Sequence, residues 1–365
     1  MIDWSSYYLK DEPFVESAHI DPTSSDPRIN GTIFSRKGVE EPYDSLLAMI
    51  QRHKPISYVL SESKVLGTGK SALLAGIYWK IKTDKTYEEE FLPAWVSVGD
   101  FRNITQLTGK ILDTFVFLGF SEQIKDAVQD LTPSSIDKFL SSEKLQRSPS
   151  VVWALSKIFS MQKEEVPWKY VNIRRSISTV STYEIFEYIM TLFKKTTKRR
   201  VLVFIDQFED YIEHQRSSAQ LTQLGEDLNH IHRAIAECGN LSLITTLHPV
   251  AKEVFEASAG ALIGTFGGIT ENSVMVKPFR PDDLLEMCKL YIKHYRIENH
   301  TKKVTPLFPF DENVVTYIAE KAGGNPRIFI RLVHNVLLEA AIRKQPSVSK
   351  SFIDQPAVQK MTGFK

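Results

Sequence analysis

The run Gly67-Thr68-Gly69-Lys70-Ser71 constrains this chain more than any other five residues. It follows an apolar, strand-length stretch, Ile56 to Leu60. It opens an amphipathic stretch, Ser71 to Lys82, with Leu74, Ile77, Tyr78 and Ile81 on one face. Strand, glycine turn and helix in that order let a backbone wrap an anion. Glycines allow successive N–H groups to point inward, and the helix N-terminus adds its positive dipole end. In that arrangement Gly67 to Ala72 surround phosphate, Lys70 reaches the β and γ phosphates of a nucleotide, and the Ser71 hydroxyl ligates Mg²⁺. The full pattern has one more glycine five residues before Gly69, where this chain has Lys64.

A second run carries a carboxylate. Val201-Leu202-Val203-Phe204-Ile205-Asp206 reads as a buried strand that delivers one acid at its C-terminal end, the edge at which such sheets bind ligands. Asp206 is expected to hold Mg²⁺ through water, opposite Ser71. The next residue is Gln207, and the first glutamate is Glu209. If the chain leaves the strand at Gln207, Glu209 can approach an attacking water as its base. Gln207 can instead orient that water without accepting its proton. Glu209 can also be a solvated acid at the start of a loop. The last two readings imply slow hydrolysis or none.

Around these runs the pattern alternates strand and helix. Strands are expected at 56–60, 94–98, 200–205, 241–246 and 273–276. Helices are expected at 44–53, 71–82, 104–117, 221–237, ending at Gly239, and 250–256. Such alternation predicts a largely parallel sheet. Residues 118–180 break the rhythm and read as a helical insertion, after which Ser181-x-x-Glu184 makes a capping box. Beyond Pro278 only helices are expected, at 281–295, 311–322 and 326–341. The division is then an extended N-terminal arm (1–45), a core (46–277), a helical lid (278–345) and a tail (346–365).

Taken together, these residues resemble a P-loop NTPase of the AAA+ superclass. They are most similar to archaeal origin-recognition, initiator-like ATPases and to the STAND switch ATPases. Asp206-Gln207-Phe208-Glu209 is the STAND-like feature. Pro278-Phe279-Arg280-Pro281-Asp282-Asp283-Leu284 resembles the opening of an AAA+ lid, and Gly323-Gly324-Asn325-Pro326-Arg327 resembles sensor 2. The resemblance spans about residues 28–342. It implies an α/β fold: a P-loop NTPase parallel sheet flanked by helices, with an all-α C-terminal lid. It implies ATP or ADP with Mg²⁺, an ATPase activity, and a switch acting on a protein partner. It gives Arg327 the γ-phosphate, Thr246 (or Thr245) the sensor 1 position, and residues 28–32 a place near the adenine. Between Arg233 and Arg280 there is no arginine, so an intersubunit finger from that segment is not expected. True initiators carry a winged-helix domain after the lid. The twenty residues from 346 to 365 are too few for one, so autonomous origin recognition is not expected.

Charge and composition close off other classes. Forty-five Lys and Arg nearly cancel 44 Asp and Glu, so bulk charge does not carry the chain onto nucleic acid or membrane. The basic run Lys194 to Arg200 leaves DNA as a weaker partner, although a helix end followed by a strand accounts for it equally well. Two cysteines, Cys238 and Cys288, make neither a zinc ribbon nor a disulfide framework. His230 and His232 lie two apart on a helix and do not share a face. Trp153, Phe159, Trp168 and Tyr170 read as the insertion's own small core or as a partner surface. With no apolar run of about 20 residues and no signal peptide at the start, a cytoplasmic location is expected.

Overall fold

The structure, a computed structural model, describes residues 2–15, 20–62, 67–97, 132–142, 199–213, 217–298 and 304–363, with a few single positions between 128 and 194. Chain order among these is α1 (Glu40–Gln51), β1 (Ile56–Ser61), α2 (Lys70–Thr83), α3 (Lys85–Glu88), β2 (Phe91–Ser97), α4 (Pro133–Ser142) and β3 (Arg200–Asp206). There follow α5 (Phe208–Glu213), α6 (Ser218–Cys238), β4 (Leu241–Leu247), α7 (Pro249–Ser258), α8 (Gly260–Phe266) and β5 (Ser273–Val276). The chain ends in helices: α9 (Pro281–Tyr295), α10 (Glu312–Lys321), α11 (Pro326–Ile342), α12 (Lys350–Ile353) and α13 (Pro356–Thr362).

The five strands form a parallel sheet in the order β2-β3-β4-β1-β5. All six residues of β1 and all seven of β4 are buried. Both faces of a parallel sheet are covered, so the polar residues of these strands, Ser57, Ser61, Ser242, Thr245 and Thr246, are buried with the apolar ones. The register sets Ser97 opposite Asp206 and Thr245 opposite Ile205.

The chain divides into two compact units. One comprises residues 1–47, 60–79 and 274–365; the other comprises 48–59 and 80–273. Within the first unit, the described residues 2–15 and 20–45 are packed rather than an extended arm. Tyr7, Leu9 and Phe14 are each about 1% exposed. The Tyr7 hydroxyl donates to the Gln345 carbonyl, and the Phe14 ring stacks on Tyr291. The segment read as an arm because these three anchors follow neither a helix nor a strand period and find their partners far along the chain. Likewise, 350–362 is helical rather than a loose tail, and buries Phe352, Ile353 and Val358.

Most of the insertion lies outside the described residues. Its helix α4 buries Ile136 and Leu140, and Trp153 is exposed. Helix 104–117, the Ser181 capping box, Lys64, Phe159, Trp168, Tyr170, Lys195 to Lys198 and the side chains of His230 and Cys238 also lie outside. Among the described residues, no helix is long and apolar enough to cross a membrane.

Candidate functional site

The first unit holds the glycine loop and the helices expected to cover it. Lys70 is the first residue of α2 and only 7% exposed; its Nζ donates to Ser61 Oγ, at the end of β1, across 3.3 Å. Gly67 and Gly69 have φ of +83° and +99°. That is a backbone region L-residues rarely enter, so glycine is required at both.

Space demands glycine as well. A Cβ on Gly67 would fall inside the contact distance of Arg327 Cβ and 2.9 Å from Asn325 Oδ1. A Cβ on Gly69 would lie 2.9 Å from the Phe279 ring. Asn325 caps α11, with Oδ1 accepting the N–H groups of Arg327 (3.0 Å) and Ile328 (3.2 Å). The sequence signal for that cap is Asn before Pro at a helix start. Phe279 is fixed by a 2.9 Å bond from its N–H to the Gly324 carbonyl. The structure thus brings Arg327 beside Gly67. It also adds Ser61, which sequence reasoning did not single out, and Phe279, which it named only as part of the lid-opening run.

The α2 face holds residues 30–34. Gly31 meets Ala75, the Phe34 ring covers Gly76, and Trp79 Nε1 donates to the Asn30 carbonyl at 2.6 Å. Arg28, expected near the adenine, is bound to Asp26 and to the Glu12 carbonyl. Its pKa is raised mainly by the Asp26 bond.

The loop fits a polyphosphate on its own geometry. Its two left-handed glycines turn backbone N–H groups toward the start of a 14-residue helix. Thr68 Oγ1 is buried with no hydrogen-bond partner among the described residues, a polar atom that a phosphate oxygen would satisfy.

The second unit holds the acid. β3 ends at Asp206, which is 1% exposed. The chain then turns through Gln207, at φ +61°, straight into α5. A left-handed non-glycine residue costs about 1–2 kcal/mol and persists only where its surroundings hold it. Thr246 supplies that hold: its Oγ1 accepts the Gln207 N–H at 3.0 Å and donates to Glu209 Oε2 at 2.6 Å. Glu209 is 5% exposed, not a solvated acid. The neighbouring Thr245 points away, with Oγ1 bonded to the Ile205 carbonyl at 3.2 Å. Strand alternation separates the two threonines.

Sequence reasoning also missed His248. It caps α7, and its Nδ1 accepts the Ala251 N–H at 3.3 Å. That leaves Nε2 as the N–H facing Glu213 Oε1 at 3.1 Å. Helix α5 is therefore fastened near both ends, at Glu209 and at Glu213. The basic run contributes Arg200, whose guanidinium donates to the Gly239 carbonyl (2.9 Å) and to Ser242 Oγ (3.3 Å). Burial lowers its pKa. Among the described residues, no three His, Cys, Asp or Glu side chains form a metal-binding group.

No protein-family model matches the chain, and no characterised protein matches it by sequence. Solved structures do match its fold. The Aeropyrum pernix ORC2 protein in its ADP form has a TM-score of 0.59 at 12% identity, covering 98% of this chain and 73% of that one. Its ADPNP–ADP complexes give 0.58 at 12%, with 98% and 72% covered. CDC6P from Pyrobaculum aerophilum gives 0.52 at 12%, with 98% and 71% covered. The chain has the α/β fold of the archaeal origin-recognition and Cdc6-type AAA+ ATPases.

Proposed function

We propose that this chain is an ATP-binding AAA+-type ATPase, in which Mg-ATP binding and hydrolysis switch the position of a surface read by a protein partner. The carrying observation is the loop Gly67 to Ser71, with Lys70 buried at the start of α2 and Arg327 packed against Gly67. In this reading the backbone from Gly67 to Ala72 and the Lys70 ammonium hold the phosphates. Arg327, an always-charged fork, reads the terminal phosphate from the start of α11. Ser71 and Asp206 are the residues that would hold Mg²⁺, which supplies charge neutralisation on the phosphate oxygens when bound. Glu209 accepts the proton of the attacking water. Thr246 fixes the rotamer from which it does so, and Gln207 holds the turn that presents it. The neighbours' ADP and ADPNP complexes support the choice of an adenine nucleotide.

A second reading is a nucleotide-stabilised interaction module that turns over little. It is favoured by the burial of Glu209 and the 2.6 Å bond already occupying its Oε2. Single-turnover hydrolysis of radiolabelled ATP separates the two. The ATPase reading expects phosphate release by the wild type and a loss of about 100-fold or more in Glu209→Gln. Equal, near-zero rates in two proteins that both retain ATP would establish the module instead.

DNA contact is not part of this reading. One neighbour, the Aeropyrum pernix ORC1 protein, is in complex with DNA (TM-score 0.50, 13% identity). Here, the Arg200 guanidinium is already bound to Gly239 and Ser242.

A further inference from the structure

We propose that the cavity beside the C-terminal half of α9 is a binding site for a small organic phosphate, separate from the glycine loop and independent of the reading given to it. The cavity has a volume of about 370 Å³ and is lined by α9 and by Arg296, Thr305 and Pro306. Small-molecule sites are commonly about 300–1,000 Å³.

The charge arrangement selects the ligand. Glu286, Lys289, Leu290 and Lys293 share one face of α9, at spacings of three, four and seven residues. Lys289 Nζ is paired with Glu286 Oε1 at 2.8 Å, so those two charges cancel. Lys293 is exposed and has no ion pair among the described residues. Arg296 is 4% exposed, and its guanidinium donates to the carbonyls of Tyr7 (3.0 Å) and Phe308 (2.6 Å). Among the described residues no carboxylate lies within ion-pair distance of it. Burial depresses its pKa, and besides the two carbonyls its guanidinium meets only the Phe308 ring face among the described residues, 6.0 Å from the ring centre.

A buried cation without a counter-ion is costly, and an anion in the adjoining cavity offsets that cost. Lys293 and Arg296 together present two uncompensated positive charges. A phosphate monoester near neutral pH carries about −1.5 to −2, which matches them better than a single carboxylate does. Thr305 adds a hydroxyl donor. Leu290 and Pro306 supply apolar wall for the organic body, which bare phosphate would leave uncovered.

The test is calorimetric titration of glycerol 3-phosphate into the full chain carrying Lys70→Ala, which disables the glycine loop. The expected result is one site with a Kd below about 1 mM, weakened at least about tenfold when Lys293→Glu is added. Lys293 is exposed, so that variant should fold, and circular dichroism checks it. Glycerol is the uncharged control, and inorganic phosphate is expected to bind more weakly than its ester. No binding at about 10 mM, or binding that Lys293→Glu leaves unchanged, overturns the proposal. Loss of ATP binding elsewhere in the molecule bears on neither outcome.

Discussion

Thr246 Oγ1 stands 2.6 Å from Glu209 Oε2 while accepting the backbone N–H of Gln207 at 3.0 Å. One hydroxyl on β4 therefore fixes both the strained turn after Asp206 and the carboxylate that follows it. Replacing Thr246 by valine keeps the volume and removes the oxygen. The Gln207 N–H and Glu209 Oε2 then lose a buried partner, at roughly 1–3 kcal/mol. Urea unfolding should show that loss, and single-turnover hydrolysis should fall with it. Unchanged stability would mean the hydroxyl is not holding the turn.

Gly67→Ala is expected to damage the loop twice. The left-handed backbone costs an L-residue about 1–2 kcal/mol. The added methyl also meets Arg327 and Asn325, and overpacking typically costs about 1–3 kcal/mol. Thermal melting should fall by several degrees. The partner variant Gly67→Ala/Arg327→Gly relieves only the clash with Arg327 and leaves Asn325 and the left-handed backbone as they are, so it should recover only part of the loss.

Asp283 gives a pH dependence. Burial alone raises its carboxyl pKa, but the Arg280 guanidinium and backbone N–H outweigh burial and hold it below its ordinary value. Its Oδ2 accepts the Arg280 N–H at 2.9 Å, satisfying the backbone donor of the residue that precedes α9. A folded pKa below the unfolded one means stability that is fully present above the unfolded value near 3.8. That stability is lost as pH falls through the folded value. Urea midpoints from pH 7 down to acid should therefore drop less steeply below about pH 4 in Asp283→Asn than in the wild type.

His248→Ala removes both the α7 cap and the link to Glu213. The expected cost is roughly 1–2 kcal/mol, read by urea unfolding. His248→Asn keeps a capping side chain and should recover part of it, while the contact to Glu213 at the end of α5 stays lost.

Much of the fold was legible because its signals are local. β5 and α9 begin and end where periodicity and proline placed them, and Gly239 ends α6 in the left-handed conformation expected of a helix stop. Helix α5 was invisible, since six residues are too short to show a period. The N-terminal segment was misjudged for a similar reason. Tyr7, Leu9 and Phe14 anchor it through contacts hundreds of residues away, such as Tyr7 to Gln345, and no local pattern reports those. The site divides the same way. Gly67, Lys70, Asp206 and Arg327 are readable as motifs. Strand alternation allows only one of Thr246 and Thr245 to face the site and does not by itself say which. The contacts of His248 to Glu213, Phe279 to Gly69 and Ser61 to Lys70 emerge only from packing, because no local period reports them.

The central claim is that the loop beginning at Gly67 grips a nucleotide's phosphates through Lys70. Equilibrium titration of ATP into the wild type and Lys70→Ala, both checked for folding, tests it most directly. The account predicts micromolar-range binding that weakens by about 30-fold or more, or roughly 2 kcal/mol, in the variant. Equal affinity in the two proteins would contradict it.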